Sequence, residues 1–486
     1  MKTSSRLLAL LALAAVTPLA SAQTSEPKPD DLLRFEREDV AVFREKFVKA
    51  DLGYTPQSRA EVERRLRRIE QANRPLAPLA FRVELCRLAA LADNGHTVCL
   101  DEGAARGTCA AYAVLDKKDG PGCDLRTPDF TVPEFKRVPI GFYPFGTDFY
   151  VSQVLAKDVD LLGARLLTVD GKPITSIQST LRSFQGGTVP FRDLGATAVL
   201  NSPDQLHAVG IVRSGDAVTY RFQTPSGTTL ERQFKAADSS REDWKRLPPP
   251  EHTPWPLQEP DKFFRWRDAP EIDAVVVQLR VTVDYGGVKL LDFLEEAEAN
   301  RAKLGRHNVV LDLRANGGGN LILAREFFTR WPDRVAQPGK FFVLSSRRTF
   351  SAAIASIGYL KQAGKERVVL VGEPPGDRLV FFSDGRPIQL PHSGLFFRPS
   401  TARMDYQGGC QHYDDCHVTV AQAGHRTAPF DIAGIDVNQV PRMPIAISSL
   451  EPDVPAPETI ESHLNGTDPG MDAIARALGK PAKNQS

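Results

Sequence analysis

The sequence lacks an excess of either charge. Its 486 residues include 61 basic and 60 acidic side chains, which gives a formal net charge of +1. Such a balance creates no field that would attract nucleic acid or an anionic membrane surface. We therefore expect neither as a partner. The nine histidines form no HExxH-type pattern, so no metal or organic cofactor is expected either.

The sequence also lacks an apolar run long enough to cross a membrane. Residues 7–16 are apolar, but a span needs about 20 residues. Lys2 and Arg6 precede this run, and the small residues Ala20, Ser21 and Ala22 follow it. This pattern predicts a secretory signal peptide over residues 1–22, cleaved near Ala22, rather than a membrane anchor. The mature protein is expected to be periplasmic or secreted, without a membrane span.

Cysteine is scarce, but all six cysteines fall in the expected mature chain, at positions 86, 99, 109, 123, 410 and 416. Export permits disulfides, and six cysteines allow 15 pairings. The short loop between Cys410 and Cys416 makes that pair the easiest prediction. A zinc site with His412 and His417 is the competing interpretation, which export and the ligand spacing both disfavour.

The chain length predicts two or three domains. Residues 23–135 have helical periodicity, with Ser58 as a predicted N-cap. Residues 136–246 contain short alternating strands and resemble a PDZ module, which takes up a peptide as an added strand. A proline-rich linker follows over residues 247–261. Residues 262–480 alternate apolar β-branched runs with helical patterns, which predicts an α/β domain around a mostly parallel sheet.

Two turns of the α/β domain have the strongest chemical signals. The first, DLRANGGGN (residues 312–320), joins a strand to a helix-like segment. Its glycines, Gly317 and Gly318 among them, can turn backbone N–H groups outward, as an oxyanion hole requires. A nucleotide-binding loop is the alternative, but the spacing fits neither GxGxxG nor the P-loop.

The second turn, RRTFSAAIAS (residues 347–356), places Ser351 at a helix start, where its hydroxyl can act as a nucleophile. The N–H of Ala352 would then be a further oxyanion donor. The alternative interpretation is that Ser351 is simply an N-cap.

Together the two turns, followed by VVLVGEPPG, FSDGRPIQLPHSGLFFRPS and a C-terminal EPDVPAPETIESHLNGTDPG, resemble the carboxyl-terminal-processing (tail-specific) serine peptidases. The resemblance covers most of the chain beyond residue 80. It implies a crotonase/ClpP-like α/β core with a PDZ-like insertion, and cleavage of a peptide or protein substrate through an activated serine.

Many members of that family activate the serine with a lysine in a Gly-Lys-Gly turn. Here the corresponding residues are Gly376, Asp377 and Arg378, and arginine does not release its proton. Lys361 and Lys365 lie on a predicted exposed helix, where a lysine stays protonated at neutral pH.

A histidine is the natural substitute for the lysine. His96, in the motif NGHT, is similar to the catalytic histidine of the tricorn-type Ser-His branch of the family. A loop histidine bonded to backbone is the alternative for His96. His207 is a rival base that has the pattern of a helix-face residue.

The acid that would orient the histidine stays open. Glu451, Asp436 and Asp431 are candidates because they lie near the C-terminal Pro-Asp pair, and Glu373 and Asp93 are further possibilities. Two other functions also stay open: a non-catalytic protein binding a peptide or hydrophobic ligand on the same fold, and an esterase of small substrates. The sequence defines neither the substrate nor the oligomeric state.

Overall fold

The computed structural model describes residues 27–116, 123–237, 242–409 and 444–481. The predicted signal peptide, the Cys410–Cys416 pair, the alternative zinc ligands His412 and His417, and Asp431 and Asp436 lie outside the described residues. Within the described ranges, no helix has both the length and the apolar character that a membrane crossing requires.

The first region is mainly helical. Thr55, not Ser58, is the N-cap of the second helix: Ser58 N–H donates to Thr55 Oγ1 (3.2 Å), and Thr55 N–H donates to Ser58 Oγ (3.0 Å). Ser58 is therefore the N3 residue of the capping box, and Pro56 occupies the N1 position. The elements are α1 (Pro29–Val42), a π-helical turn (Phe43–Val48), α2 (Pro56–Glu70), α3 (Pro78–Ala90), β1 (Val98–Leu100) and α4 (Glu102–Asp116).

The β-rich region folds around its own apolar core, which includes Phe149, Tyr220 and Phe222. Its strands are β2 (Ile140–Phe145), β3 (Asp148–Leu155), β4 (Arg165–Val169), β5 (Lys172–Pro173), β6 (Ala217–Gln223), β7 (Thr229–Lys235) and β8 (Trp244–Arg246). Its helices are α5 (Ile174–Arg182), α6 (Val189–Leu200) and α7 (Pro203–Ala208). The sheet has the order β2-β3-β4-β6-β7, with β5 paired to β4 and β8 paired to β3.

The α/β region confirms the mixed α/β prediction. Its main sheet contains, in spatial order, β18 (Val454–Pro455), β13 (Val368–Gly372), β12 (Phe341–Ser345), β11 (Asn308–Asp312), β10 (Ala274–Leu279) and β9 (Phe264–Ala269). Strands β10 to β13 are parallel. These four strands are buried and mostly apolar, as expected where helices cover both faces of a sheet. The helices are α8 (Leu290–Lys303), α9 (Arg325–Arg334), α10 (Ala352–Gly364), α11 (Ile460–Asn465) and α12 (Pro469–Ala477).

Four further strands follow β13: β14 (Val380–Ser383), β15 (Ile388–Gln389), β16 (Phe396–Arg398) and β17 (Ala402–Asp405). β14 pairs with β17, whereas β16 pairs with β15 and, antiparallel, with β1 of the first region. Leu390, Leu395 and Phe397 from this segment are buried in the core of the helical region. The first region is therefore fastened directly to a segment that is 300 residues away in sequence.

Candidate active site

The predicted nucleophile lies in a strained turn between β12 and α10. Ser351 has φ 55° and ψ −123°, a conformation that a non-glycine residue rarely adopts. A serine on a sharp strand-to-helix turn of this kind presents its hydroxyl at the carboxyl edge of the sheet. Among the described residues, the Ser351 hydroxyl has no hydrogen-bond partner and is half-buried. The Ser351 side chain makes no capping hydrogen bond, so capping of α10 by this side chain does not account for the conformation.

The glycine turn, residues 312–320, packs directly on the serine turn because β11 and β12 are parallel neighbours. Phe350 N–H donates to Asn316 O (3.0 Å). A β-carbon on Gly318 would lie 2.6 Å from Ser351 Cβ and 3.0 Å from Ala352 N, and the φ of Gly318 is +105°. Only glycine fits at position 318, because any side chain there would clash with the serine turn.

The three predicted oxyanion donors differ in their surroundings. Gly318 N–H donates to Asn316 Oδ1 (2.8 Å), so this group already has a partner. Gly317 is exposed, and an added β-carbon there would meet nothing within 4 Å. Ala352 is the first residue of α10, where the positive end of the helix dipole adds to the field of its N–H group.

The histidine loop, residues 93–97, is fixed by the Asn94 side chain. Asn94 Oδ1 accepts from Phe382 N–H, and Asn94 Nδ2 donates to Phe382 O, both at 3.0 Å. The Asn94 amide therefore makes with β14 the pair of hydrogen bonds that a neighbouring strand would make. Thr97 Oγ1 donates to the buried Asp51 carboxylate (2.7 Å), which also accepts from Ser400 N–H. These bonds explain the Asn and Thr of the NGHT motif.

His96 lies between two aromatic rings and is almost fully buried (8% exposed). Its ring stacks on Phe350 (centroids 4.4 Å apart) and on Phe381 (5.3 Å). The structure thus brings His96 against the residue that precedes Ser351. Neither imidazole nitrogen has a hydrogen-bond partner in the described part of the chain, so His96 does not hydrogen-bond to Ser351. Buried polar atoms without partners are uncommon and costly.

An acid that sequence reasoning passed over lies beside the histidine. Asp377 Oδ2 is 3.6 Å from His96 Nδ1, and the Asp377 side chain is 1% exposed. Asp377 follows β13, the neighbour of β12, so the carboxyl-edge position that makes Ser351 a candidate applies equally to it. That adjacency is the signal that could have found it.

The other acids proposed from sequence have different surroundings. Glu373 forms a buried ion pair with Arg347 (2.7 Å). Asp93 forms ion pairs with Arg192 and with Arg378. Glu451 is exposed, and its backbone N–H donates to Ser449 Oγ.

The alternative bases are also accounted for. His207 lies on α7, where its Nδ1 is 3.3 Å from Val212 O. Lys361 forms an ion pair with Asp453 (3.1 Å), and Lys365 follows α10. No group of three or more His, Cys, Asp or Glu side chains that could hold a metal ion occurs among the residues that the structure describes.

A segment of the β-rich region, residues 185–191, covers the histidine loop. Phe191 stacks on Phe350 with ring centroids 4.6 Å apart, and Thr188 Oγ1 donates to Gly376 O (3.0 Å). The histidine, the serine turn and the β-rich region thus meet at one place.

A cavity of about 210 Å³ with mixed polar and apolar walls opens at the same edge of the sheet. Tyr143, Ala315, Arg348, Glu458 and His463 contribute to its wall. Burial lowers the pKa of His463 to about 4, so its imidazole is neutral near pH 7, and burial raises the pKa of Glu458. Arg348 is three residues from Ser351 and lies over the Tyr143 ring (4.9 Å). The cavity thus shares the glycine turn and the segment before Ser351 with the candidate site.

No protein-family model matches the sequence, and no curated protein matches it either. Solved structures do. A mutant of CPAF is 12% identical with a TM-score of 0.52, over 92% of this chain and 96% of the other. Mature CPAF complexed with lactacystin is 13% identical with a TM-score of 0.50, over 92% and 97%. The chain has the CPAF fold. The photosystem II D1 C-terminal processing protease is 15% identical over 94% of this chain and 99% of the other, with a TM-score of 0.39, which is too low to show a shared fold.

Proposed function

We propose that this protein is an exported serine peptidase of the carboxyl-terminal-processing type, with Ser351 as nucleophile and His96 as general base. The observation that carries the proposal is the strained backbone of Ser351 at the start of α10, packed against Gly318. Strain of about 1–3 kcal/mol persists only where the surrounding structure imposes it, and it clusters at active sites.

The proposed chemistry is acyl transfer. Ser351 Oγ bonds to the carbonyl carbon of the peptide while its proton passes to His96 Nε2, and the carbonyl electron pair moves onto the oxygen. Ala352 and Gly317 N–H groups hold that oxyanion, and Gly318 joins them when its bond to Asn316 is released. The electron pair then returns, the C–N bond breaks, and His96 gives its proton to the leaving nitrogen. Water repeats the sequence to release the acid.

The likeness to CPAF over nearly the whole chain supports a crotonase/ClpP-like core with a PDZ-like β-rich region, as the sequence resemblance implies. The domain boundaries at residues 135, 246 and 261 belong to the same proposal. Disulfides Cys86–Cys99 and Cys109–Cys123 support export, because such bonds persist in oxidising compartments.

A second function has one observation in its favour. His96 has no hydrogen bond to Ser351, so a non-catalytic peptide-binding protein on this fold is the alternative. Catalytic hydrogen bonds are often long or misaligned without substrate, which is why we favour the enzyme.

A fluorophosphonate probe separates the two functions. We expect covalent labelling of the wild type and of Ser179→Ala, whose serine is exposed on α5, and none of Ser351→Ala. The His96→Ala variant should label at least 100-fold more slowly, because loss of a general base costs roughly 10²–10⁴-fold. Absence of labelling in the wild type, or equal labelling of Ser351→Ala, would overturn the peptidase assignment. Turnover of peptides compared with simple esters then distinguishes a peptidase from an esterase.

A further inference from the structure

The turn after β13 places one carboxylate in an unusual position. Asp377 Oδ1 accepts from Arg378 N–H (2.9 Å), whereas Oδ2 is buried without a hydrogen-bond partner among the described residues. The atom 3.6 Å from Oδ2 is His96 Nδ1, which is also buried and unpartnered. Two buried polar atoms, each costly to leave unpaired, thus lie 3.6 Å apart.

We propose that Asp377 is the positioning acid of the active site: its Oδ2 accepts a hydrogen bond from His96 Nδ1–H and so leaves Nε2 unprotonated and able to take the Ser351 proton. This inference rests on the proposed function. Asp377 itself acts through the histidine and touches no reacting atom. An orienting carboxylate fixes the tautomer and stabilises the imidazolium that forms during acylation.

The distance needs only a small change. An N–H···O hydrogen bond has a donor–acceptor distance of about 2.7–3.2 Å, so the two atoms must approach by less than about 1 Å. The rings of Phe350 and Phe381 lie at 27° and 11° to the imidazole plane. Stacked rings restrain motion perpendicular to the plane but allow sliding within it. A slide of His96 within its ring plane therefore keeps both stacking contacts.

Other acids near the histidine loop are already neutralised. Asp93 is held by Arg192 and Arg378, and Glu373 by Arg347. Asp377 has no ion pair with an arginine or lysine in the described residues, so its charge is available to the histidine.

The remaining charge near the loop is also committed. Asp51 accepts hydrogen bonds from Gly53 N–H, Thr97 Oγ1 and Ser400 N–H. Its carboxylate is thereby fixed behind the loop, on the side of Thr97.

The test compares rates of fluorophosphonate labelling across pH for the wild type, Asp377→Asn and Asp377→Glu. We expect Asp377→Asn to label roughly 10²–10⁴-fold more slowly, as loss of an orienting carboxylate does in serine triads. The midpoint of the acidic limb of its rate profile should move to lower pH, because the lost negative charge favoured the protonated imidazole. Asp377→Glu keeps the charge and should recover part of the rate.

Asp193→Asn is the matched control, because Asp193 is an equally buried carboxylate that pairs with Arg182 in the β-rich region. It should leave the pH midpoint unchanged even if stability falls. If the wild type labels and Asp377→Asn labels at the same rate and with the same pH midpoint, the role of Asp377 is refuted but the peptidase assignment is not. A wild type that does not label would overturn both.

A measurement on the wild type avoids dependence on a variant that fails to fold. Imidazole ¹⁵N resonances, assigned to His96 by their loss in His96→Ala, report which nitrogen carries the proton. We expect the Nδ1–H form above the titration midpoint. Finding the Nε2–H form instead would refute the proposed hydrogen bond.

Discussion

Replacing Asn94 with aspartate tests how the histidine loop is held, because the change exchanges an NH₂ group for an oxygen without altering size. Asn94 is 3% exposed, and its Nδ2 lies 2.9–3.0 Å from Phe382 O, Thr97 Oγ1 and Ser400 Oγ. Its Oδ1 accepts from Phe382 N–H and would still do so in the aspartate variant.

The magnitude follows from these contacts. Nδ2 has two protons, so two hydrogen bonds are lost, and each buried group left unsatisfied costs about 1–3 kcal/mol. Asn94→Asp should therefore destabilise the native state by roughly 2–6 kcal/mol. The new carboxylate would face Phe382 O and lie one hydroxyl away from Asp51, so burial and like charge would raise its pKa above the ordinary aspartate value.

The sign of the pH dependence follows. A carboxyl group whose pKa is higher in the folded than in the unfolded state destabilises the fold as pH rises above the unfolded value of about 3.9. The deficit of Asn94→Asp should therefore be larger at pH 8 than at pH 4.5. Because the loop carries His96, fluorophosphonate labelling should also slow at least tenfold.

Urea unfolding at both pH values measures the deficit, with Asn73→Asp as the matched control. Asn73 is exposed, so its substitution should change the free energy of unfolding by no more than about 0.5 kcal/mol. The reasoning is wrong if Asn94→Asp unfolds at the wild-type urea concentration at pH 8, or if its deficit shrinks as pH rises.

Three other predictions address separate features. Gly318→Ala should reduce labelling at least tenfold, because its β-carbon would lie 2.6 Å from Ser351 Cβ. Gly305→Ala, also at positive φ but in open space, should not reduce it, and equal effects of the two changes would refute the steric argument. The Cys86–Cys99 disulfide brackets the histidine loop, so removing it should slow labelling and destabilise the protein by about 2–4 kcal/mol. Urea unfolding against the oxidised wild type measures the stability, and an unchanged labelling rate would mean that the loop needs no disulfide. Burial raises the pKa of Glu36 to about 7, so wild-type stability should fall as pH rises from about 4.5 to 7 and Glu36→Gln should abolish that part of the pH dependence; identical stability–pH curves would contradict it.

Much of the fold was accessible from sequence because it depends on local patterns. Four continuous apolar runs are sufficient for buried parallel strands, and helices between them fix their order. Adjacent parallel strands then place the glycine turn beside Ser351, since the carboxyl ends of such strands lie at one edge. The pairing of these two turns was therefore predictable from residues about 33 positions apart, Gly318 and Ser351.

The surroundings of the histidine were decided only by tertiary structure. The sequence identified His96 as a candidate base, but its stacking between Phe350 and Phe381 and its approach to Asp377 join segments 250 to 290 residues apart. Nothing periodic in the sequence encodes such contacts. They arise because β16 pairs with β1 and because the Asn94 amide pairs with β14, which together dock the first region on the α/β region. Local spacing thus determined the candidate nucleophile and its turn, whereas long-range packing determined which acid and which rings surround the proposed base.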